Sequence, residues 1–81
     1  MYQTINESVL VAGVYAHHTF TPKKFKWRTR DLAIDRITLV SDIKDGGVKK
    51  RLYSVTVGKD VYRLEFNRDS EHWTLNQLWV E

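Results

Sequence analysis

The residues with the clearest chemical potential lie at positions 23–30, where five basic side chains are interspersed with two aromatic ones. Lysine and arginine bind phosphate groups, and exposed aromatic rings stack on bases, so this composition is typical of nucleic-acid-binding surfaces. A formal net charge of only +3 does not by itself indicate a polyanion partner. Together with a second basic group, the candidate nucleic-acid contacts are Lys24, Lys26, Arg28, Arg30, Lys49, Lys50 and Arg51.

The spacing within the first basic group separates its aromatic from its basic side chains. On a strand, Phe25 and Trp27 point to one side, whereas Lys24 and Lys26 point to the other. Aromatic residues on an amphipathic strand usually supply burial, so we expect both rings to face the core rather than to stack on bases. The basic side chains then form either phosphate contacts or a solvated face that protects a sheet edge.

His17 and His18 are the obvious candidates for metal binding or acid–base chemistry. If they lie on a strand, adjacent side chains point to opposite faces and cannot both bind one ion. His72 is distant in sequence, and the chain has no cysteine. No glycine-rich phosphate loop, nucleophile motif or paired-carboxylate spacing is present either. We therefore expect no metal site, no cofactor and no enzymatic activity.

Length and composition predict one small soluble domain. The 81 residues are enough for a single modest core, so positions 1–81 are interpreted as one β domain. The absence of cysteine rules out a disulfide framework and favours a reducing compartment such as the cytoplasm. The apolar run at residues 9–16 follows no Lys or Arg and is too short to cross a bilayer. We interpret it as a strand and expect no membrane partner.

One hairpin is specified by its turn residues. Gly58-Lys59 predicts a two-residue type II′ turn, because glycine readily adopts the positive φ that the first turn position needs. That turn places Val55 opposite Tyr62 and Tyr53 opposite Leu64, on a shared apolar face. The other face of the hairpin is largely polar, as expected for an antiparallel pair with one side on the core.

The rest of the chain reads as further strands, since β-branched and aromatic residues recur in short runs between turn signals. Asp45-Gly46-Gly47 predicts another reversal, and the apolar phase changes between Ile34 and Ile37, which predicts a β-bulge near Asp35-Arg36. The predicted fold is all-β: a single small antiparallel, strongly bent sheet or an SH3-like partly open barrel of five to six strands. An OB-like barrel is the alternative. The predicted strands cover residues 8–20, 25–28, 32–43, 48–57, 60–67 and 72–80.

A resemblance supports this fold. The segment Pro22-Lys23-Lys24-Phe25-Lys26-Trp27-Arg28-Thr29-Arg30, followed by Leu32, Ile34, Tyr53-Ser54-Val55, Tyr62-Arg63-Leu64 and Trp73-Thr74-Leu75, resembles a set of small bacterial proteins of unknown function. Their pattern, Pro-x-x-Phe-x-Trp-x-Gly-Arg before a strand, a hairpin and a closing Trp-containing strand, implies a small β fold and contains no catalytic residue. This chain has Thr29 where the pattern has glycine, so a positive φ at that position would be strained.

These features predict a binding module and leave two kinds of partner open. The first is DNA or RNA, bound weakly and with little sequence preference through phosphates. With about five such contacts, the logarithm of the affinity should fall with that of the salt concentration at a slope of roughly −3 to −5. The alternative is a protein partner or self-association through a strand edge or an exposed aromatic side chain, for which Trp73 and Trp79 are the candidates.

Overall fold

The computed structural model describes residues 1–80, which consist of β-strands and the turns that join them. In chain order the strands are β1 (Tyr2–Ser8), β2 (Leu10–Ala16), β3 (Thr19–Trp27), β4 (Arg30–Ala33), β5 (Arg36–Asp45), β6 (Val48–Val57), β7 (Asp60–Asn67) and β8 (Trp73–Trp79). The prediction of an all-β fold is confirmed. Residues 1–80 contain no helix with the length and apolar character needed to cross a membrane.

The strands form two antiparallel sheets that are not closed into a barrel. The larger sheet has the order β1-β8-β7-β6-β5, and the smaller one has the order β2-β3-β4. Residues 1–80 form eight strands in place of the expected five to six. The predicted strand at residues 8–20 is divided between β2 and β3 by a turn, the strand at residues 32–43 is divided between β4 and β5, and β1 is a further strand that the sequence pattern does not reveal.

The hairpin formed by β6 and β7 has the predicted register. Val55 pairs with Tyr62 and Tyr53 with Leu64, and all four side chains are buried. Gly58 has a φ of 61° at the first turn position, as a type II′ turn requires. This hairpin therefore supplies much of the apolar face of the larger sheet.

The chain passes from the smaller to the larger sheet at Ile34 and Asp35. The Ile34 amide donates to the Lys23 carbonyl in the smaller sheet at 2.9 Å, and the next amide, that of Asp35, donates to the Thr56 carbonyl in the larger sheet at 2.8 Å. The predicted bulge near Asp35-Arg36 is displaced, since the irregularity of the β5–β6 pair lies between Ile37 and Leu39. The apolar phase changes here for two reasons: the chain changes sheet, and β5 then carries one extra residue.

The core lies between the two sheets. Phe25, Trp27 and Leu32 contribute from the smaller sheet, and they meet the buried side chains of β6, β7 and β8. The Phe25 and Tyr62 rings pack edge to face with centroids 5.2 Å apart, a geometry that aromatic rings favour. Phe25 is only 1 % exposed and Trp27 only 7 %. The prediction that these two rings face the core is confirmed, and neither is available to stack on a base.

β2 and β3 approach each other closely at Gly13. A Cβ at this position would collide with the Thr21 carbonyl oxygen and would lie 2.7 Å from Cζ of Phe20 and 2.9 Å from Cα of Pro22. The β2–β3 register shifts here because Lys23 is an extra residue between Pro22 and the rest of β3. The irregularity belongs to β3, so β2 itself remains regular.

Candidate interaction surfaces

Lys24 and Lys26 lie on the outer face of the smaller sheet. They alternate with the buried Phe25 and Trp27, so their side chains point away from the larger sheet. On the neighbouring strand β4, Asp31 is the direct cross-strand partner of Lys26. This face therefore presents two lysines, and a carboxylate lies beside one of them.

Arg28 is held by a carboxylate from the larger sheet. Its Nη2 donates to Oε2 of Glu7 at 2.9 Å and its Nε to Oε1 at 3.3 Å, while Trp27 Nε1 donates to the same Oε1 at 3.0 Å. The guanidinium also lies over the Trp27 ring, 4.8 Å from its centroid. The hydrogen bonds from Arg28, and then from Trp27, lower the pKa of Glu7. Arg28 therefore carries a paired rather than a free positive charge.

The turn between β3 and β4 explains why Thr29 is tolerated. Trp27 pairs with Arg30, so Arg28 and Thr29 form a two-residue turn. The positive φ, 59°, falls on Arg28, and Thr29 is not among the residues with positive φ. Thr29 thus avoids the left-handed conformation in which a β-branched side chain is most strained.

Arg30 is separated from the two lysines by strand alternation. Arg30 is the first residue of β4 and points to the same side of the strand as the buried Leu32, two positions later. Its positive charge also affects the pKa of Tyr62. Burial raises the pKa of the Tyr62 hydroxyl, Asp60 raises it further, and Arg30 opposes that shift. Arg30 therefore lies toward the inner side of the smaller sheet, away from its outer face.

The second basic group is divided between the two faces of β6. Lys49 and Arg51 have the parity of the buried Tyr53, whereas Lys50 has the opposite parity. Arg51 binds Asp42 in a bidentate manner, with Nε to Oδ1 at 2.6 Å and Nη2 to Oδ2 at 3.2 Å. This contact raises the pKa of Arg51 and lowers that of Asp42.

Lys50 is also paired. Its Nζ lies 3.3 Å from Oδ2 of Asp45 and 3.5 Å from Oε2 of Glu65. The hydrogen bond to Asp45, followed by the charge of Glu65, raises the pKa of Lys50. Lys50 projects from the outer face of the larger sheet, whereas Lys24 and Lys26 project from the outer face of the smaller sheet. The second basic group therefore has Lys50 on the outer face of the larger sheet and Lys49 and Arg51 on its inner parity, and none of the three lies on the face that carries Lys24 and Lys26.

Trp73 and Trp79 occupy different environments. The Trp73 ring packs against Phe66, Tyr53 and Phe20 with centroid distances of 4.8, 5.4 and 5.9 Å. Trp73 is therefore a partly buried residue at the edge of the core. Trp79 is 36 % exposed and packs on Tyr2 of β1 at 4.8 Å. Of these two candidates for a surface anchor, Trp79 is the more accessible.

His17 and His18 form the turn of the β2–β3 hairpin instead of lying on a strand. Ala16 pairs with Thr19 across this turn, and both histidines have positive φ, 53° and 63°, the pattern of a type I′ turn. The expectation of a strand at this point is wrong. The turn could not be predicted, because its two residues are neither glycine nor asparagine, which usually mark a type I′ turn. Among residues 1–80, no three imidazole or carboxylate groups converge as metal ligands.

In the part of the chain that the structure describes, the sheets have four edge strands, β1, β5, β2 and β4, and three of them carry features that discourage pairing. β1 is irregular between Thr4 and Glu7. β5 is irregular after Ile37 and carries four charged residues. β4 has only four residues, two of them charged. Irregular, short or charged edges are the usual means by which proteins avoid edge-to-edge association.

β2 has none of these features. Its seven residues, Leu-Val-Ala-Gly-Val-Tyr-Ala, carry no charge and are regular. Leu10 is 72 % exposed, Val14 52 % and Tyr15 70 %. The sequence identifies a strand here but not its exposure. The sequence does indicate that both faces of this strand are apolar, and in the structure only the face that carries Val11 packs against the core.

Comparison with protein-family models found no match to this chain, and comparisons with curated proteins and with solved structures found none either. The resemblance to small bacterial proteins of unknown function stays a prediction.

Proposed function

We propose that this protein is a non-catalytic interaction module that adds an extended strand of a polypeptide partner to the open edge of β2. The observation that carries the proposal is the uncharged seven-residue edge strand with exposed Leu10, Val14 and Tyr15. An edge strand has unpaired N–H and C=O groups along one side, which is the template that β-strand addition uses. As the sequence indicates, the cytoplasm is the expected compartment.

Recognition at this edge combines main-chain hydrogen bonds with contacts from both faces of β2. Leu10, Ala12 and Val14 share the outer face, and Val11 and Tyr15 share the inner one. In antiparallel pairing the backbone bonds supply affinity at about 0.5–1.5 kcal/mol each, and the side chains supply selectivity. A single strand offers only a few such bonds, so the affinity is expected to be modest.

Nucleic-acid binding has less support from the geometry. Its seven candidate residues point in several directions, and Arg28, Lys50 and Arg51 are engaged by carboxylates. Only Lys24 and Lys26 share one exposed face without a salt bridge among the described residues. Two lysines make a small phosphate-binding surface, since binding strength and salt dependence both grow with the number of phosphates contacted.

The proposal is tested with a capped peptide of alternating valine and threonine, of the same length as β2, added to ¹⁵N-labelled protein. We expect amide shift changes along β2, centred on Ala12 to Val14. The matched control is the same peptide with alternate amides N-methylated, which removes its main-chain donors and should abolish the changes. Equal responses to both peptides, or responses confined to another part of the protein, would contradict strand addition at β2.

A further inference from the structure

We infer that the strand which occupies the β2 edge is β2 of a second copy of this chain, so that two smaller sheets join into one six-stranded sheet. This inference rests on the proposed function and names its partner. Homodimers most often have two-fold symmetry, in which the same surface of each copy meets itself. The surface must therefore be self-complementary, and the composition of β2 can be examined for that property.

β2 carries no charge that would oppose its pairing with a second copy of itself. When two copies of a charged strand pair, some registers place like charges opposite each other. β2 has no charged residue, so no register of β2 against itself meets such repulsion. The nearest cations on the outer face are Lys24 and Lys26, one strand further from the axis. Across the joint sheet, the two β3 strands are three strand spacings apart, about 14 Å. That exceeds the Debye length of about 8 Å at physiological salt, so their repulsion is screened.

The other edge strands of this chain match β2 less well than β2 matches itself. β5 carries four charged residues and has an irregular backbone, and both features discourage pairing with β2. β1 contains Asn6 at a φ of 52° within its irregular stretch, and β4 offers four residues against the seven of β2. β2 is thus the edge of this chain that best matches β2. Pairing with itself closes the assembly at two copies rather than producing an open fibre.

Full overlap of two antiparallel β2 strands sets the register. Gly13 is the middle residue of Leu10–Ala16, so the two-fold axis passes through it. Ala12 of each copy then faces Val14 of the other on the outer side, and Val11 faces Tyr15 on the inner side. Tyr15, which is 70 % exposed, gains an apolar neighbour.

The size of the contact sets its strength. Two seven-residue strands bury less than the roughly 800 Å² per partner of a standard interface. Association also costs translational and rotational freedom. We therefore expect a dimer in rapid exchange, with a dissociation constant in the range of about 10 μM to 1 mM.

Analytical ultracentrifugation over a concentration series up to about 1 mM tests the inference on the full chain. The expected result is a mass that rises from 9.6 kDa toward twice that value. Val14→Lys, at a residue 52 % exposed, should weaken the dimer at least about tenfold, because it removes the apolar Val14–Ala12 contact and adds a like charge to each of the two paired edge strands. Leu39→Lys on the β5 edge, 56 % exposed, is the matched control and should leave the dimer unchanged. Circular dichroism melts verify that both variants fold.

Disulfide trapping tests the register, since the chain has no cysteine of its own. Ala12→Cys and Val14→Cys, mixed under mild oxidation, should form a crosslinked dimer faster than either variant alone. In the proposed register the like positions are about 8 Å apart, beyond disulfide reach, whereas the unlike positions face each other. Equal rates in all three samples would overturn the register.

Two outcomes would rule out a second copy of the chain as the partner without contradicting the proposed strand addition at β2. A chain that stays monomeric throughout the concentration series, yet binds the valine–threonine peptide at β2, retains strand addition and loses self-pairing. A dimer that is insensitive to Val14→Lys uses another surface, and the inference fails. A monomer that also ignores the peptide contradicts both proposals.

Discussion

The Glu7 carboxylate of β1 binds the Arg28 guanidinium at the tip of the β3–β4 hairpin, with Nη2 and Oε2 2.9 Å apart. It connects the edge of the larger sheet to the smaller sheet. The same carboxylate accepts a hydrogen bond from Trp27 Nε1, and Arg28 in turn stacks on that indole. One acidic side chain therefore orients a core tryptophan and neutralises a cation that the sequence offers as a phosphate contact.

This contact predicts a defined acid sensitivity. The pKa of Glu7 is lowered in the folded state, so its contribution to stability is present above the unfolded-state pKa and is lost as pH falls through the folded-state value. Glu7→Gln keeps an acceptor for Trp27 but removes the charge. We expect a modest decrease in Tm at pH 7 and a smaller loss of Tm between pH 7 and pH 3 than in the unmodified chain.

Asp42 provides the comparison for that experiment, because its pKa is also lowered, chiefly by the hydrogen bond from Arg51. Asp42→Asn should likewise reduce the Tm difference between the two pH values. Thermal melts followed by circular dichroism supply both measurements. If the acid-induced loss of Tm is the same in all three proteins, neither ion pair contributes to stability.

Substitution of adjacent residues on β3 should have very different effects on stability. Phe25→Ala removes a ring that is 1 % exposed and should reduce the free energy of unfolding by about 3–5 kcal/mol. Lys24→Ala alters a solvated side chain and should change it by no more than about 0.5 kcal/mol. Urea denaturation at low protein concentration measures both. Similar values for the two variants would contradict the assignment of faces.

The contrast between Phe25 and Lys24 also shows what the sequence could reveal. Alternation with a period of two is a local property of a strand, so it correctly orients β3 and the hairpin of β6 and β7. The Gly58-Lys59 turn then fixes the register, because a two-residue turn leaves only one way to pair the flanking residues.

Other features depend on contacts between distant segments and are not encoded by local periodicity. The transfer between sheets at Ile34 and Asp35 resembles a bulge in the pattern, since both change the apolar phase. Glu7 and Arg28 are 21 positions apart, so only the fold reveals their pairing. β2 is apolar on both parities, as a buried strand would be, yet its position at the edge of a three-stranded sheet leaves it exposed.

The close approach at Gly13 predicts that Gly13→Ala is destabilising. The added methyl group must displace the carbonyl oxygen of Thr21 on the neighbouring strand. This oxygen belongs to the backbone and cannot easily move. We expect a loss of about 1–3 kcal/mol in the free energy of unfolding. Gly46→Ala is the comparison, since nothing lies within 4 Å of a Cβ there and only the positive φ is unfavourable, at about 1 kcal/mol. Urea denaturation of an equally stable Gly13→Ala variant would rule out the steric constraint.

Any binding to DNA should depend on salt less steeply than the sequence suggests. If Lys24 and Lys26 are the cations that contact phosphates, the slope of log affinity against log salt should be near −2 rather than −3 to −5. Fluorescence anisotropy with a labelled duplex measures this slope. The double variant Lys24→Glu and Lys26→Glu should abolish the binding, whereas Lys49→Glu should have little effect. A slope of −4 or steeper would require the separated basic groups to act together.

The two tryptophans of β8 should differ both in stability and in their effect on assembly. Trp73 packs against three aromatic rings, so Trp73→Ala should cost about 3–5 kcal/mol of unfolding free energy. Trp79 is 36 % exposed and has Tyr2 as its ring partner, so Trp79→Ala should cost about 0.5–1.5 kcal/mol.

Sedimentation of the Trp79→Ala variant distinguishes association through the β2 edge from association through Trp79. The β2 edge and the Trp79 side chain belong to different sheets, so association through β2 should continue in this variant with an unchanged dissociation constant. If Trp79→Ala instead yields a monomer that remains folded by circular dichroism, the Tyr2–Trp79 aromatic pair is the contact surface. In that case Val14→Lys should be without effect, because an edge-strand lysine cannot disturb an interface on the larger sheet.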